Sequence, residues 1–153
     1  MVKLPQILAK THVTRNAYRH WGLIGALKTE QPATSMGKAV PYSRENAMEI
    51  AFIGALVRAG LTPLDASERA QAWIETLKNG HSIPRYYVLN PISGFGFGRE
   101  DISQPDALMK MSHALNQRDK SGWVEPVEFA QLHIINLKHL IKMVDEMFEE
   151  EGA

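Results

Sequence analysis

Leu4-Pro5-Gln6-Ile7-Leu8-Ala9-Lys10-Thr11-His12-Val13-Thr14-Arg15-Asn16-Ala17-Tyr18-Arg19-His20-Trp21 is the most informative run in the chain. Leu4, Ile7 and Leu8 fall at i, i+3 and i+4, and Pro5 is tolerated in a first turn, so residues 4–10 read as a short helix. Thr14 has the side-chain oxygen of an N-cap. It predicts a second helix from Arg15 to about Trp21, with Ala17, Tyr18 and Trp21 turned inward and Arg15, Asn16, Arg19 and His20 outside. Only Thr11, His12 and Val13 separate the two helices, and Val13 is the apolar plug for the angle between them. That spacing predicts a helix-turn-helix.

Residues 28–41 lack a helical period and include Pro32, Gly37, Lys38 and Pro41. They read as an exposed loop, a wing-like hairpin flanked by Leu27 and Val40. Ser43 can cap a third helix over 44–59, which Gly60 ends by adopting a left-handed conformation. From Ala47 to Val57 only Glu49 and Gly54 are not hydrophobic, which predicts a helix at the centre of the core or in a subunit interface. Thr62-Pro63-Leu64-Asp65 is a compact helix start, with Ala66, Ala70, Trp73 and Leu77 along one face and Asn79-Gly80 as the stop.

The pattern changes after His81. Residues 85–90 read as a strand, 91–94 as a turn and 95–97 as a return strand. Residues 105–115 suit a helix and 127–135 a buried strand. Leu137, Leu140, Ile141, Val144 and Phe148 predict a closing amphipathic helix capped by Asn136, whose apolar face is core or a dimer face. The expected fold class is α+β: a mostly helical winged helix-turn-helix domain over 1–81, then a small α+β domain over 82–153 that serves dimerisation or an effector.

The chain has 153 residues, 44% of them hydrophobic and 22% charged, enough to bury a core without disulfides or a structural metal. The absence of cysteine excludes thiol catalysis, thiolate metal sensing and iron–sulfur clusters. No apolar run approaches membrane-spanning length, and the first ten residues lack a signal-peptide core, so the expected location is the cytoplasm. Net charge is zero, but it is segregated. Residues 1–45 carry seven basic groups against two acidic ones, whereas 101–153 carry five basic against ten acidic and end in Glu149-Glu150-Glu151. The basic end is therefore the expected meeting place with an anion, and the acidic end the solvated one.

Other chemistry finds little support. No two of the six histidines stand at i, i+3 or i+4, so neither a metal nor a cofactor is expected. Gly94-Phe95-Gly96-Phe97-Gly98-Arg99 lacks the βαβ context of a phosphate cradle and is followed by Glu100-Asp101, so it reads as a glycine-rich hairpin. Glu125 with Glu128, and the terminal glutamates, sit where solvated charge is expected, and the chain is not expected to be an enzyme.

Taken together, residues 4–64 resemble the DNA-binding domain of the mercury-resistance-regulator (MerR) family of bacterial transcription regulators. Val13-Thr14 begins the second helix, and Tyr18-Arg19-His20-Trp21 stands where that family has Leu-Arg-Tyr-Tyr. Gly25 and Leu27 follow, then Tyr42-Ser43, Ile50, Ile53, Leu56, Gly60 and Leu61 after the wing. The resemblance implies that Arg19 contacts phosphate and that Arg15 and Asn16 read base edges, as their bidentate hydrogen bonding allows. Thr14, His20, Lys28, Lys38 and Arg44 complete the expected DNA-binding set. The family's arginines after the wing are replaced here by Val40 and Pro41, and its long dimerisation helix has no counterpart, because the helix after Thr62 is only about four turns long.

The implied function is sequence-specific binding of double-stranded DNA by a homodimeric transcription regulator, with an unknown effector or protein partner at the C-terminal part. Two other readings stay open on sequence: an excisionase-like architectural protein of a phage or mobile element, and a protein-interaction module such as an antirepressor or adaptor.

Overall fold

The computed structural model describes residues 1–32, 40–91, 94–102 and 132–152. Five helices and three strands make up this part: α1 (Leu4–Thr11), α2 (Arg15–Leu23), α3 (Arg44–Arg58), α4 (Pro63–Lys78), β1 (Tyr86–Asn90), β2 (Phe95–Arg99), β3 (His133–Asn136) and α5 (Leu137–Gly152). The class is α+β.

Helix α3 is the axis of the molecule. All eleven residues from Asn46 to Leu56 are buried, and α1, α4 and α5 each pack against it. A helix apolar on every side can satisfy that burial only when surrounded, which resolves the choice between core and subunit interface in favour of core. Its start is fixed locally: Ser43 Oγ accepts from the Asn46 N–H, and the Asn46 side chain accepts from the Ser43 N–H. Gly60, with φ +106°, ends the segment. Helix α4 begins as its sequence implies, with Thr62 accepting from the Asp65 N–H and Pro63 in the first turn.

The sheet has the order β2-β1-β3, with both pairings antiparallel. Tyr87 lies opposite Gly98 on one side and Ile135 on the other. Its ring meets Trp73 of α4 edge-on, and Trp73 meets Phe52 of α3 the same way, so aromatic contacts link sheet, α4 and α3. The glycine pattern follows from this packing. A side chain at residue 96 would run into the Tyr87 ring, and one at residue 98 into Pro84. Gly96 and Gly98 therefore serve close packing within a hairpin.

Several boundaries differ from the expectation. Strand β2 continues to Arg99 because it pairs along the whole of β1. The last strand ends at Asn136, whose side chain also accepts from the His139 N–H and so starts α5. The expected helix over 105–115 and the beginning of the strand expected at 127 lie outside the described residues, as do residues 33–39 of the loop read as a wing. On either side of that loop, residues 28–32 and 40–43 carry no strand.

The parts expected to divide near residue 82 share one hydrophobic core. Tyr87, Leu89, Ile135, Leu137, Val144 and Met147 belong to the same buried cluster as Ile7, Trp21 and Phe52. Helix α5 turns its apolar face into that cluster, and its polar side reaches back across the fold. Arg44 at the start of α3 donates two hydrogen bonds to Asp145, and Gln6 of α1 donates to Glu151.

Candidate nucleic-acid interface

Helix α2 is held from behind, and among the described residues its front is exposed. His12 closes α1 in the left-handed region, with φ 54°, and the next residue, Val13, is buried against α3. That approach requires Gly54, because a Cβ there would lie 2.7 Å from Val13 Cγ2. Arg58 of α3 donates to the carbonyl of Thr11, 2.9 Å away, and so caps the last turn of α1. Partial burial lowers the Arg58 pKa from its ordinary value. Thr14 Oγ1 accepts from the Ala17 N–H at 3.1 Å and starts α2, as its position implies.

Trp21, only 3% exposed, is the anchor on the inner side of α2. Tyr18 is half-buried beside it. Its hydroxyl donates to Gln31 Oε1 at 2.8 Å and lies 3.1 Å from the Tyr42 hydroxyl. Burial, followed by the hydrogen bond with Tyr42, raises the Tyr18 pKa well above the ordinary tyrosine value, so this ring is a neutral structural group.

The opposite side carries Arg15, Asn16, Arg19 and His20, all exposed. Arg15 and Arg19 are one turn apart, as are Asn16 and His20, so the four form a patch about one and a half turns long. Among the described residues, neither arginine has a salt bridge, and α2 contains no acidic residue. Leu23 extends the Arg15–Arg19 row by one more turn and is 87% exposed, the most exposed large apolar residue described.

The remaining expected contacts fare unevenly. Thr14 lies at the N-terminal edge of the patch, and its hydroxyl proton is free to donate while its oxygen caps the helix. The Lys28 residue is exposed, while its backbone N–H points inward to Glu49. Arg44 pairs with Asp145, whose hydrogen bond is the main cause of its raised pKa, and its side chain stays about half exposed. Lys38 lies outside the described residues.

Glu49 is the polar residue that sequence reading passed over. It is wholly buried in α3, yet it accepts from the backbone N–H groups of Lys28 and Thr29 and from the side-chain amides of Gln31 and Gln71. Burial raises its pKa, and the two backbone N–H groups pull in the opposite direction. Its one signal in the sequence was being the sole charged residue between Ala47 and Val57. Gly54 had a similar signal, as a glycine inside a helix.

Among the described residues, no group of three or more His, Asp or Glu side chains is placed to hold a metal ion. No described helix is long and apolar enough to cross a membrane. An open cleft of about 420 Å³ between α4 and the β1–β2 turn sets Asp65 and Glu68 beside Arg69, a mixed lining without a nucleophile–base pair. Comparison with known proteins finds no matching family model, no similar curated protein and no similar solved structure.

Proposed function

We propose that this protein binds double-stranded DNA sequence-specifically, through α2 as the recognition helix of a winged helix-turn-helix of the MerR type, and that it acts as a homodimeric transcription regulator. The observation carrying this reading is the patch of Arg15, Asn16, Arg19 and His20: polar, exposed, unopposed by acidic groups on its helix, and mounted on a rigid back made by Val13, Trp21 and Gly54. A helix of that width enters a major groove, where arginine pairs with guanine and asparagine with adenine. Arg19, one turn beyond Arg15, supplies a phosphate contact that sets the register, and the Thr14 hydroxyl can add another. One such helix offers few base-reading side chains, so two copies on a near-palindromic site are needed for useful affinity. Lys28, exposed after α2, is a further described basic group for the phosphate backbone.

The test is selection of bound sequences from a random duplex library at near-physiological salt. A symmetric enriched motif is the expected result. Salt-dependent retention without a motif replaces regulation with an architectural role, and no retention overturns the DNA-binding reading.

A further inference from the structure

Building on the DNA-binding reading, we infer that Glu49 is the positioning residue of the interface: from inside the core it holds the segment 28–31 and, through Gln31 and Tyr18, the orientation of α2. Each polar contact of the carboxylate leads to this conclusion. The Lys28 N–H lies 2.5 Å from Oε1, and the Thr29 N–H lies 3.1 Å from Oε1 and 3.2 Å from Oε2. Gln31 Nε2 reaches Oε2 at 3.3 Å, and Gln71 Nε2 reaches Oε1 at 2.6 Å. Three of the four donor residues therefore lie within the segment 28–31, beyond the end of α2, and the fourth belongs to α4.

From Gln31 the chain of contacts returns to α2. The same side chain accepts from the Tyr18 hydroxyl at 2.8 Å, and Tyr18 sits on the inner side of the helix that carries Arg15 and Arg19. Asn46, one turn before Glu49, donates to the Glu30 carbonyl at 2.9 Å and secures the one residue of the segment that Glu49 does not reach. Packing inside α3 gives no reason for a carboxylate here. From Ala47 to Ile53 the other residues of α3 are apolar, and taking a carboxylate out of water opposes folding, so for packing within α3 an apolar residue would serve at least as well. What an apolar residue cannot do is accept four donors and fix a backbone segment in one place.

The experiment compares the full-length wild type with Glu49→Leu, Glu49→Gln and Gln31→Met, reading amide hydrogen exchange, thermal stability and duplex selection on each. Glu49→Leu is expected to remain folded, with α3 amides protected and the Lys28 and Thr29 amides exchanging at least about tenfold faster. Its affinity for the duplex that the wild type selects should fall about tenfold, with flattened base preference. Glu49→Gln keeps an oxygen for the two backbone donors and should recover most of the binding. Gln31→Met cuts the link to Tyr18 at a half-buried position outside α3, so it tests the idea even if Glu49→Leu unfolds; it should weaken binding without moving the melting temperature.

Unchanged amide exchange in Glu49→Leu, or unchanged affinity and base preference in Gln31→Met, overturns the inference while leaving the DNA-binding reading in place. A wild type that retains no duplex is a separate outcome, which removes that reading and this inference together.

Discussion

Helices α2 and α5 are both amphipathic and both bury one face in the same core, but they treat their charges in opposite ways. On α5, Asp145 is bound by Arg44, Lys142 pairs with Glu146 one turn away, and Glu151 takes the terminal amine and Gln6. On α2, Arg15 and Arg19 face outward and have no acidic partner among the described residues. Helix α5, with its acidic residues, therefore folds back onto α1 and the start of α3, and among the described residues no acidic group pairs with the arginines of α2. A net charge of zero says little about anion binding when the opposite charges are spent on each other elsewhere in the molecule.

The contrast can be broken most severely from behind α2. Trp21→Ala empties the anchor of the recognition helix and should cost about 3–5 kcal/mol, read by denaturant or thermal unfolding. Retained stability would mean that α2 is not seated as described. Gly54→Val drives a branched side chain into Val13 and should cost about 1–3 kcal/mol while also loosening the α1–α2 turn. Full stability in that variant would show that the turn can pack elsewhere.

The front of α2 should respond in binding alone. Arg15→Ala is expected to relax preference at one position of each half-site and to cost about 1–3 kcal/mol of binding there. Arg19→Ala should weaken all duplexes alike and reduce the salt slope by about one phosphate contact. Binding isotherms at several salt concentrations separate the two, and unchanged binding in both removes α2 from the interface.

Glu49 sharpens the comparison through pH. Because burial raises its folded pKa above the unfolded value, the folded chain holds the proton more tightly between those two values. Stability from this group is therefore greatest below the unfolded value, declines as pH rises through the folded value, and is level above it. Thermal melts of the wild type and Glu49→Leu across the acid range should differ by that declining component, and parallel curves would show that Glu49 titrates normally. The smallest effect belongs to α5: Arg44→Ala breaks an exposed pair and should cost no more than about 1 kcal/mol, with duplex binding intact. A marked loss of binding would return Arg44 to the interface.

The legible part of the fold was the part written in neighbouring residues. Thr14, Ser43, Thr62 and Asn136 each start the helix their position implied, because a cap needs only a side-chain oxygen and an N–H three residues on. Gly60 and Gly80 stop segments because a positive φ is a local demand. The patch on α2 was legible for the same reason, since helical period alone puts Arg15, Asn16, Arg19 and His20 on the side away from Trp21.

The pairing of Arg44 with Asp145, 101 positions apart, was not legible, because nothing local to either residue points to the other. Nor was the shared core on both sides of residue 82, because a change of local pattern marks a change of element and carries no information on which surfaces later pack together. Glu49 illustrates the division most sharply. By itself the sequence determined that a single charge would sit in the apolar stretch from Ala47 to Val57; the tertiary structure alone decided that Lys28, Thr29, Gln31 and Gln71 would surround it with donors, because those contacts exist only once two separate segments, 28–31 and α4, have closed on α3.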